Sequence, residues 1–357
     1  MRGPRSIWLS AVTGCLVASA GVVLVGQRPA GGDWSVPRTA SGHPDLQGVW
    51  SNNSITPLER PAILGDRAEL TDAEVTKLRQ RTEELFTAKN DAGANVFSDF
   101  LFRQIVGDCA DRPCEFDTAT GNYNAFWIAD RTFDDRRTSL IFDPPNGRVP
   151  PLTAEAQARR AATTTGRRDV GPESMSLFER CITVGTPNIM TAYNSYLQVF
   201  QTDSHVALVQ ELIHDTRVIP MDGRADLDSR IRLWNGSSRG RWDGDTLVIE
   251  TKNYSPKISF VSLSAASPSA GAMSGNVTIT ERLSRADQDT LHYEVTFDDA
   301  TTWTRPWSVR VFMKRTSDKI YEYACHEGNY ALPNMLKGAR TQEGAPSAAP
   351  ATATTRE

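Results

Sequence analysis

The chain has 357 residues, with 39 lysines and arginines against 43 aspartates and glutamates, and 39% of it is hydrophobic. That is material for a sizeable core, and neither composition nor charge matches a disordered, collagen-like or coiled-coil protein. Residues 1–30 hold three arginines and no acid, leaving 36 bases against 43 acids in the remainder; a body this mildly acidic excludes a general nucleic-acid binder.

Residues 1–30 read as an export leader. Met1-Arg2-Gly3-Pro4-Arg5 is a cationic start, and residues 6–25 carry no charge, the pattern that enters a translocon. Three outcomes stay open. Cleavage fits the small residues of Ala18-Ser19-Ala20 or the region ending at Ala30. Lipidation fits Val12-Thr13-Gly14-Cys15, with Cys15 as the anchor. Retention fits an apolar run of about 20 residues, enough to span a bilayer. Each predicts an exported protein, periplasmic or extracellular, that meets the membrane only through its N-terminal segment.

Export permits oxidised cysteines. Beyond Cys15 the chain has Cys109, Cys114, Cys181 and Cys325. Cys109 and Cys114 bracket the turn-prone Ala-Asp-Arg-Pro, which predicts the pairs Cys109–Cys114 and Cys181–Cys325. Their spacing matches no zinc pattern.

Residues 31–45 are rich in Gly, Pro and Ser and predict a flexible lead-in. One β-rich domain is expected over 46–337, with a helical insertion at about 62–120. The tail 338–357 lacks apolar residues and predicts disorder. In the insertion, Thr71-Asp72-Ala73-Glu74 is a capping box, followed by Val75, Leu78, Leu85 and Phe86 on one face. A second helix is expected over 154–162, after Thr153.

From residue 123 the hydrophobic period is two. Asn146-Gly147, Asp222-Gly223, Asn235-Gly236 and Asp243-Gly244 have hairpin-turn chemistry. Strands are expected at 123–130, 137–143, 177–184, 195–201, 205–213, 215–220, 230–235, 245–252, 275–283, 289–297, 306–314 and 320–325. The fold class is therefore mainly β, an antiparallel meander that closes into a barrel or a sandwich to hide its edges.

Leu46-Gln47-Gly48-Val49-Trp50 resembles the Gly-x-Trp opening strand of lipocalin-like barrels. That likeness implies a late-strand arginine over Trp50, with Arg310 and Arg315 as candidates. Over most of its length the chain also resembles an uncharacterised family of exported bacterial β-rich proteins. The likeness rests on residues 46–52, Thr56-Pro57-Leu58-Glu59-Arg60-Pro61, 138–145, Glu179-Arg180-Cys181, 238–250, 301–307 and 321–330. It implies a β-barrel and carries over no reaction.

Four clusters offer chemistry. In 320–326, extended alternation puts Glu322 and His326 on one face, where a carboxylate orients a histidine for acid–base work; Glu327 adjoins them. In 210–217, Glu211 and Asp215 lie about 13 Å apart along a strand, too far for a retaining glycosidase pair. In 235–245, Arg239 and Arg241 share a face, a fork for carboxylate or phosphate. In 298–307, Trp303 is expected at a barrel mouth as a stacking surface for a sugar, with Tyr193 as a similar mouth residue. His292 and Glu294 share the outer face of their strand.

No Gly-x-Ser-x-Gly, Walker loop, dinucleotide fingerprint or c-type haem motif occurs. Two functions fit. The first, preferred because the chain spends many residues on polar and aromatic loops, is an exported enzyme without an organic cofactor. His326 would be its acid or base, oriented by Glu322 or Glu327. Arg239, Arg241, Trp303 and Tyr193 would bind a carbohydrate or small metabolite for hydrolysis, elimination or isomerisation. A variant uses His214 and His326 as metal ligands, should their strands be neighbours. The alternative is a non-catalytic, lipocalin-like protein that binds a small molecule or a partner. A convergence of His326 and a carboxylate on one cavity separates the two.

Overall fold

The computed structural model describes residues 34–52, 54–87, 100–109, 136–165, 171–189, 194–258 and 272–344. In chain order the elements are β1 (Gly48–Ser51), α1 (Asp72–Thr87), α2 (Phe100–Val106), β2 (Ile141–Asp143), α3 (Ala154–Thr165), β3 (Tyr196–Gln201), β4 (His205–Gln210), β5 (Thr216–Pro220), β6 (Ser237–Asp243), β7 (Thr246–Lys252), β8 (Thr278–Arg285), β9 (Thr290–Asp298), β10 (Trp307–Thr316) and α4 (Ala331–Gly344). The protein is mainly β.

Strict alternation in β8, β9 and β10 sends Ile279, Leu283, Tyr293, Val295, Phe297, Trp307, Val309 and Val311 to one face, where all are buried. That face curls around a single core that also takes in Trp50, Leu197, Leu208, Ile219, Leu247 and Ile249. The sheet runs in the order β5-β4-β3-β1-β10-β9-β8-β7-β6, with β2 added against β10. Every neighbouring pair along this path is antiparallel. Nine alternating strands leave the first and last, β5 and β6, pointing the same way. These two edges approach each other, yet among the described residues no backbone hydrogen bond joins them. The meander curls but does not close; a seam remains.

One end of the curl is strapped. β3, β6 and β8 run in the same direction, so their C-terminal ends lie together, and the lead-in crosses all three. Gln201 donates to the Pro44 carbonyl at 3.0 Å, His43 stacks on Trp242 at 4.9 Å, and Arg285 donates to the Asp45 carbonyl at 3.0 Å. Arg38 adds a bidentate pair with Asp245 at 2.9 and 3.0 Å. Residues 36–45 are thus pinned rather than flexible, because side chains at two strand ends hold their backbone and one at a third stacks on the His43 ring. Beneath them Trp50 is wholly buried, with the Arg315 guanidinium 4.6 Å and that of Arg285 5.1 Å from its ring. Arg315 fills the space where a Cβ on Gly48 would sit, and Gly48 has φ +131°, so a glycine is required there. Arg310, the other candidate, lies over Phe142 and pairs with Glu294 at 2.7 Å.

The capping box forms as expected. The Thr71 amide donates to Glu74 at 2.8 Å and the Glu74 amide to Thr71 Oγ1 at 3.3 Å, while Arg67 grips the same carboxylate at 2.6 and 2.9 Å. The Arg67 bond holds the Glu74 carboxyl down at about 2. α1 and α2 enclose a separate small core of Ile55, Leu64, Leu70, Val75, Leu78, Leu101 and Phe102. Thr153 caps α3 through the Ala156 amide at 3.1 Å.

Several expectations are corrected. Residues 177–184 form a turn in which Ser176 and Glu179 cap one another, and Cys181 has φ +55°, which no strand tolerates. Residues 230–235 hold only an isolated bridge, Leu233 to Tyr254. Residues 320–325 leave the sheet, since the edges of β10 are already taken by β1, β2 and β9. Residues 338–344 belong to α4 instead of a disordered tail. All four Asn/Asp-Gly glycines adopt positive φ, but only Gly244 turns one described strand directly into its partner, β6 into β7. Residues 123–130 lie outside the described residues.

Cys181 and Cys325 are joined, with Cα atoms 5.6 Å apart. Cys109 is disulfide-bonded; Cys114 lies outside the described residues. No helix among the described residues is long and apolar enough to cross a membrane, and residues 1–33, with the leader and Cys15, are outside them.

Candidate functional site

The seam opens into a cleft of about 260 Å³. Thr216, Arg217, Val218 and Pro220 form the β5 wall, and Leu233, Asn235, Gly236, Ser237, Ser238 and Arg239 form the other. Alternation along β5 turns Arg217 and Ile219 inward while Thr216 and Val218 face out, so residues of both faces of β5 line the cleft. Farther along the seam the walls touch. A Cβ on Gly240 would overlap the sulfur of Met221 and crowd Ile219, so a glycine permits this approach.

Behind the cleft lies a buried polar centre. Arg217 donates both ends of its fork to Glu281, at 2.5 and 2.7 Å, and the Tyr293 hydroxyl donates to the same carboxylate. Glu281 is fully buried and the Arg217 side chain is 9% exposed. Burial works against the charge on Arg217, but the adjacent Glu281 carboxylate outweighs it and keeps the guanidinium charged beyond its usual range. Burial also pushes the phenols of Tyr254 and Tyr293 far above the ordinary value. Tyr254 donates to the Thr186 carbonyl at 2.9 Å and so ties the centre to the loop 183–189. A buried ion pair adds little net stability by itself, but it fixes a cation in one place.

At the cleft's end, Asn235 donates to Asp215 at 3.1 Å and Thr183 donates to Asp215 at 2.6 Å. Burial raises the Asp215 carboxyl, against these bonds. Glu211, one turn earlier, is raised by burial too. The turn between them is strained: Ile213 has φ +61° and His214 φ +46°, where a β-branched residue is a genuine outlier.

Of the described residues expected in a site, only Arg239 reaches the cleft. It donates to the Ala225 carbonyl at 2.8 and 3.1 Å and to the Ser238 carbonyl at 2.8 Å, with Asp226 at 3.9 Å. Arg241 shares its outward face but is exposed and does not line the cleft. His326, Glu322 and Glu327 are all exposed on the link between β10 and α4. Trp303 is no ligand platform: it is buried against Trp307 at 5.5 Å and Phe297 at 6.2 Å, because its bridge to Leu152 draws it into the core. Tyr193 lies outside the described residues. His214 does meet the 320s segment, its Nδ1 3.1 Å from the Tyr323 carbonyl, but among the described residues no three His, Cys, Asp or Glu side chains gather as ligands. His292 lies half-buried on the outer face of β9, its ring edge-on to Phe312, and burial lowers it.

The buried centre left a trace in the sequence. Ile279, Glu281 and Leu283 share one face of an alternating strand, as do Arg217 and Ile219. A charge at an apolar parity position needs a partner of opposite sign, and each chain segment offered one half of the pair. No protein-family model, no curated protein and no solved structure matches the chain, so the site stands on its own chemistry.

Proposed function

We propose that the protein is exported and acts outside the cytoplasm as a non-catalytic binding protein, with its ligand seated in the seam cleft. The leader-like residues 1–30 and the Cys181–Cys325 disulfide support export. One observation carries the binding reading. Arg217, immobilised by Glu281 and Tyr293, lines the same opening as Arg239, Asn235, Ser237 and Ser238. Such a rim of polar groups, already held in place by internal bonds, suits a ligand with carboxylate, hydroxyl or peptide groups, and fixing the rim in advance reduces the entropy lost on binding. Acid–base catalysis by His326 has less support, because neither it nor Glu322 or Glu327 is among the residues lining the cleft.

The test is a thermal-shift and calorimetry panel of small carboxylates, sugars and short peptides on the mature protein and on Arg239→Ala. At least one class is expected to raise Tm in the wild type and not in the variant. Stabilisation equal in both proteins, or turnover that depends on His326, overturns the reading.

A further inference from the structure

The two walls of the seam are strand edges, and their pairing pattern says what they lack. The Gln210 amide donates to the Asp215 carbonyl and the Met221 amide to the Ser204 carbonyl. The odd-numbered residues of β5 therefore pair with β4, and the main-chain groups of Thr216 and Val218 face the seam. On the opposite wall, the tight turn at Gly244-Asp245 makes Asp243 and Thr246 a hydrogen-bonded pair. By the same parity, Ser238 and Gly240 present their main-chain groups to the seam. Two edges pointing the same way thus face one another with their hydrogen-bonding groups turned inward and no ladder between them.

We infer that the cleft's ligand is a single extended peptide segment, running antiparallel to both edges, that completes the sheet as a tenth strand of the ring. This rests on the binding reading above and names its ligand class. Parity supplies the direction: one added strand turns nine alternating strands into an even ring in which every neighbour is antiparallel. The rim supplies the side-chain preference. Val218 and Leu233 are 63% and 42% exposed at the opening, apolar surface that alternate side chains of a strand would cover. Charge supplies the rest: Arg239 lines the cleft, held by the Ala225 and Ser238 carbonyls, with Asp226 at 3.9 Å. An acidic residue in the peptide would meet it. A strand between two edges needs them about 9–10 Å apart. The β5 and β6 edges come within 8 Å of each other, so the peptide pairs first at Thr216 and Val218, at the cleft, and the seam must widen toward Gly240, where Met221 and Ile219 abut it.

The probes are a fluorescent heptapeptide of alternating Thr and Val with one Asp, and the same peptide N-methylated at alternate amides so that one edge cannot pair. Anisotropy and amide hydrogen exchange are read on the full mature chain. The unmethylated peptide is expected to bind saturably and to slow exchange at Thr216, Val218, Ser238 and Gly240. Methylation is expected to weaken it about ten-fold, as the loss of one or two main-chain bonds requires. Val218→Pro removes one outward amide at an edge position where proline is accepted, and it is expected to weaken binding to a similar extent. The methylated peptide decides the matter if that variant unfolds. Equal binding of both peptides, binding of neither, or protection away from the seam overturns the inference. If small carboxylates still stabilise the wild type through Arg239, only the peptide assignment falls; if nothing depends on Arg239, the binding reading falls with it.

Discussion

The two ends of the curled sheet each set charged groups against a loop, by different chemistry. At the strapped end, Arg285 and Arg315 lie over Trp50 and donate to backbone carbonyls of Asp45 and Gln47. At the opposite end, Asp215 is held by Thr183, Val184 and Asn235, and Glu211 by the backbones of Tyr196 and Tyr321, close in sequence to the Cys181–Cys325 bridge. Arginine keeps its charge at any accessible pH, whereas carboxyls raised by burial do not. The first end is a fixed clamp, and the second responds to protons and to reductant.

Four measurements break or sharpen that contrast. Trp50→Ala is expected to cost about 3–5 kcal/mol, the range for deleting a fully buried aromatic, and chemical denaturation should show the same loss with or without reductant. Cys325→Ser is expected to cost about 2–4 kcal/mol; dithiothreitol should erase the difference from wild type, and a loss that persists in reductant would assign the cost to packing. Arg315→Ala should cost about 1 kcal/mol, the scale of a cation–π contact, with no change in the pH dependence of Tm. The smallest effect is in Asp215→Asn. Because the folded-state value of Asp215 is raised above 3.8, the fold binds that proton more tightly than the unfolded chain. Its contribution is present below pH 3.8 and is lost as pH rises through the folded value. A Tm–pH profile of Asp215→Asn should therefore lack this falling component on the way to neutrality, and an unchanged profile would remove Asp215 from the account.

What could be read from the sequence was local or covalent. The capping box of α1 is complete within Thr71–Glu74, the alternation of β8 to β10 needs only neighbours two apart, and the Cys181–Cys325 pair follows from elimination. The seam is different in kind. Arg217 and Glu281 are 64 residues apart, and they meet only because the sheet curls far enough to bring β5 over β8. Trp303 shows the converse error. Its acidic, aromatic surroundings read as a loop at a mouth, but the bridge to Leu152 and the bonds of Thr301, Thr302 and Ser274 to Asp299 turn the segment inward. His326 was misplaced because Tyr-Glu-Tyr-Ala-Cys-His alternates like a strand, and alternation does not reveal whether an edge is free to receive it.

The Cys181–Cys325 bond closes a covalent circle across a sequence separation of 144, and β3 through β10 all lie inside it. β1 enters from outside the circle and bridges β3 to β10. The oxidised circle is thus a frame with a slot between β3 and β10, and the first strand is the key that fills it. A peptide spanning residues 36–52, offered to a circle lacking its own, would restore the strap and the Trp50 clamp together. Two copies of the chain could also trade that piece without breaking a covalent bond.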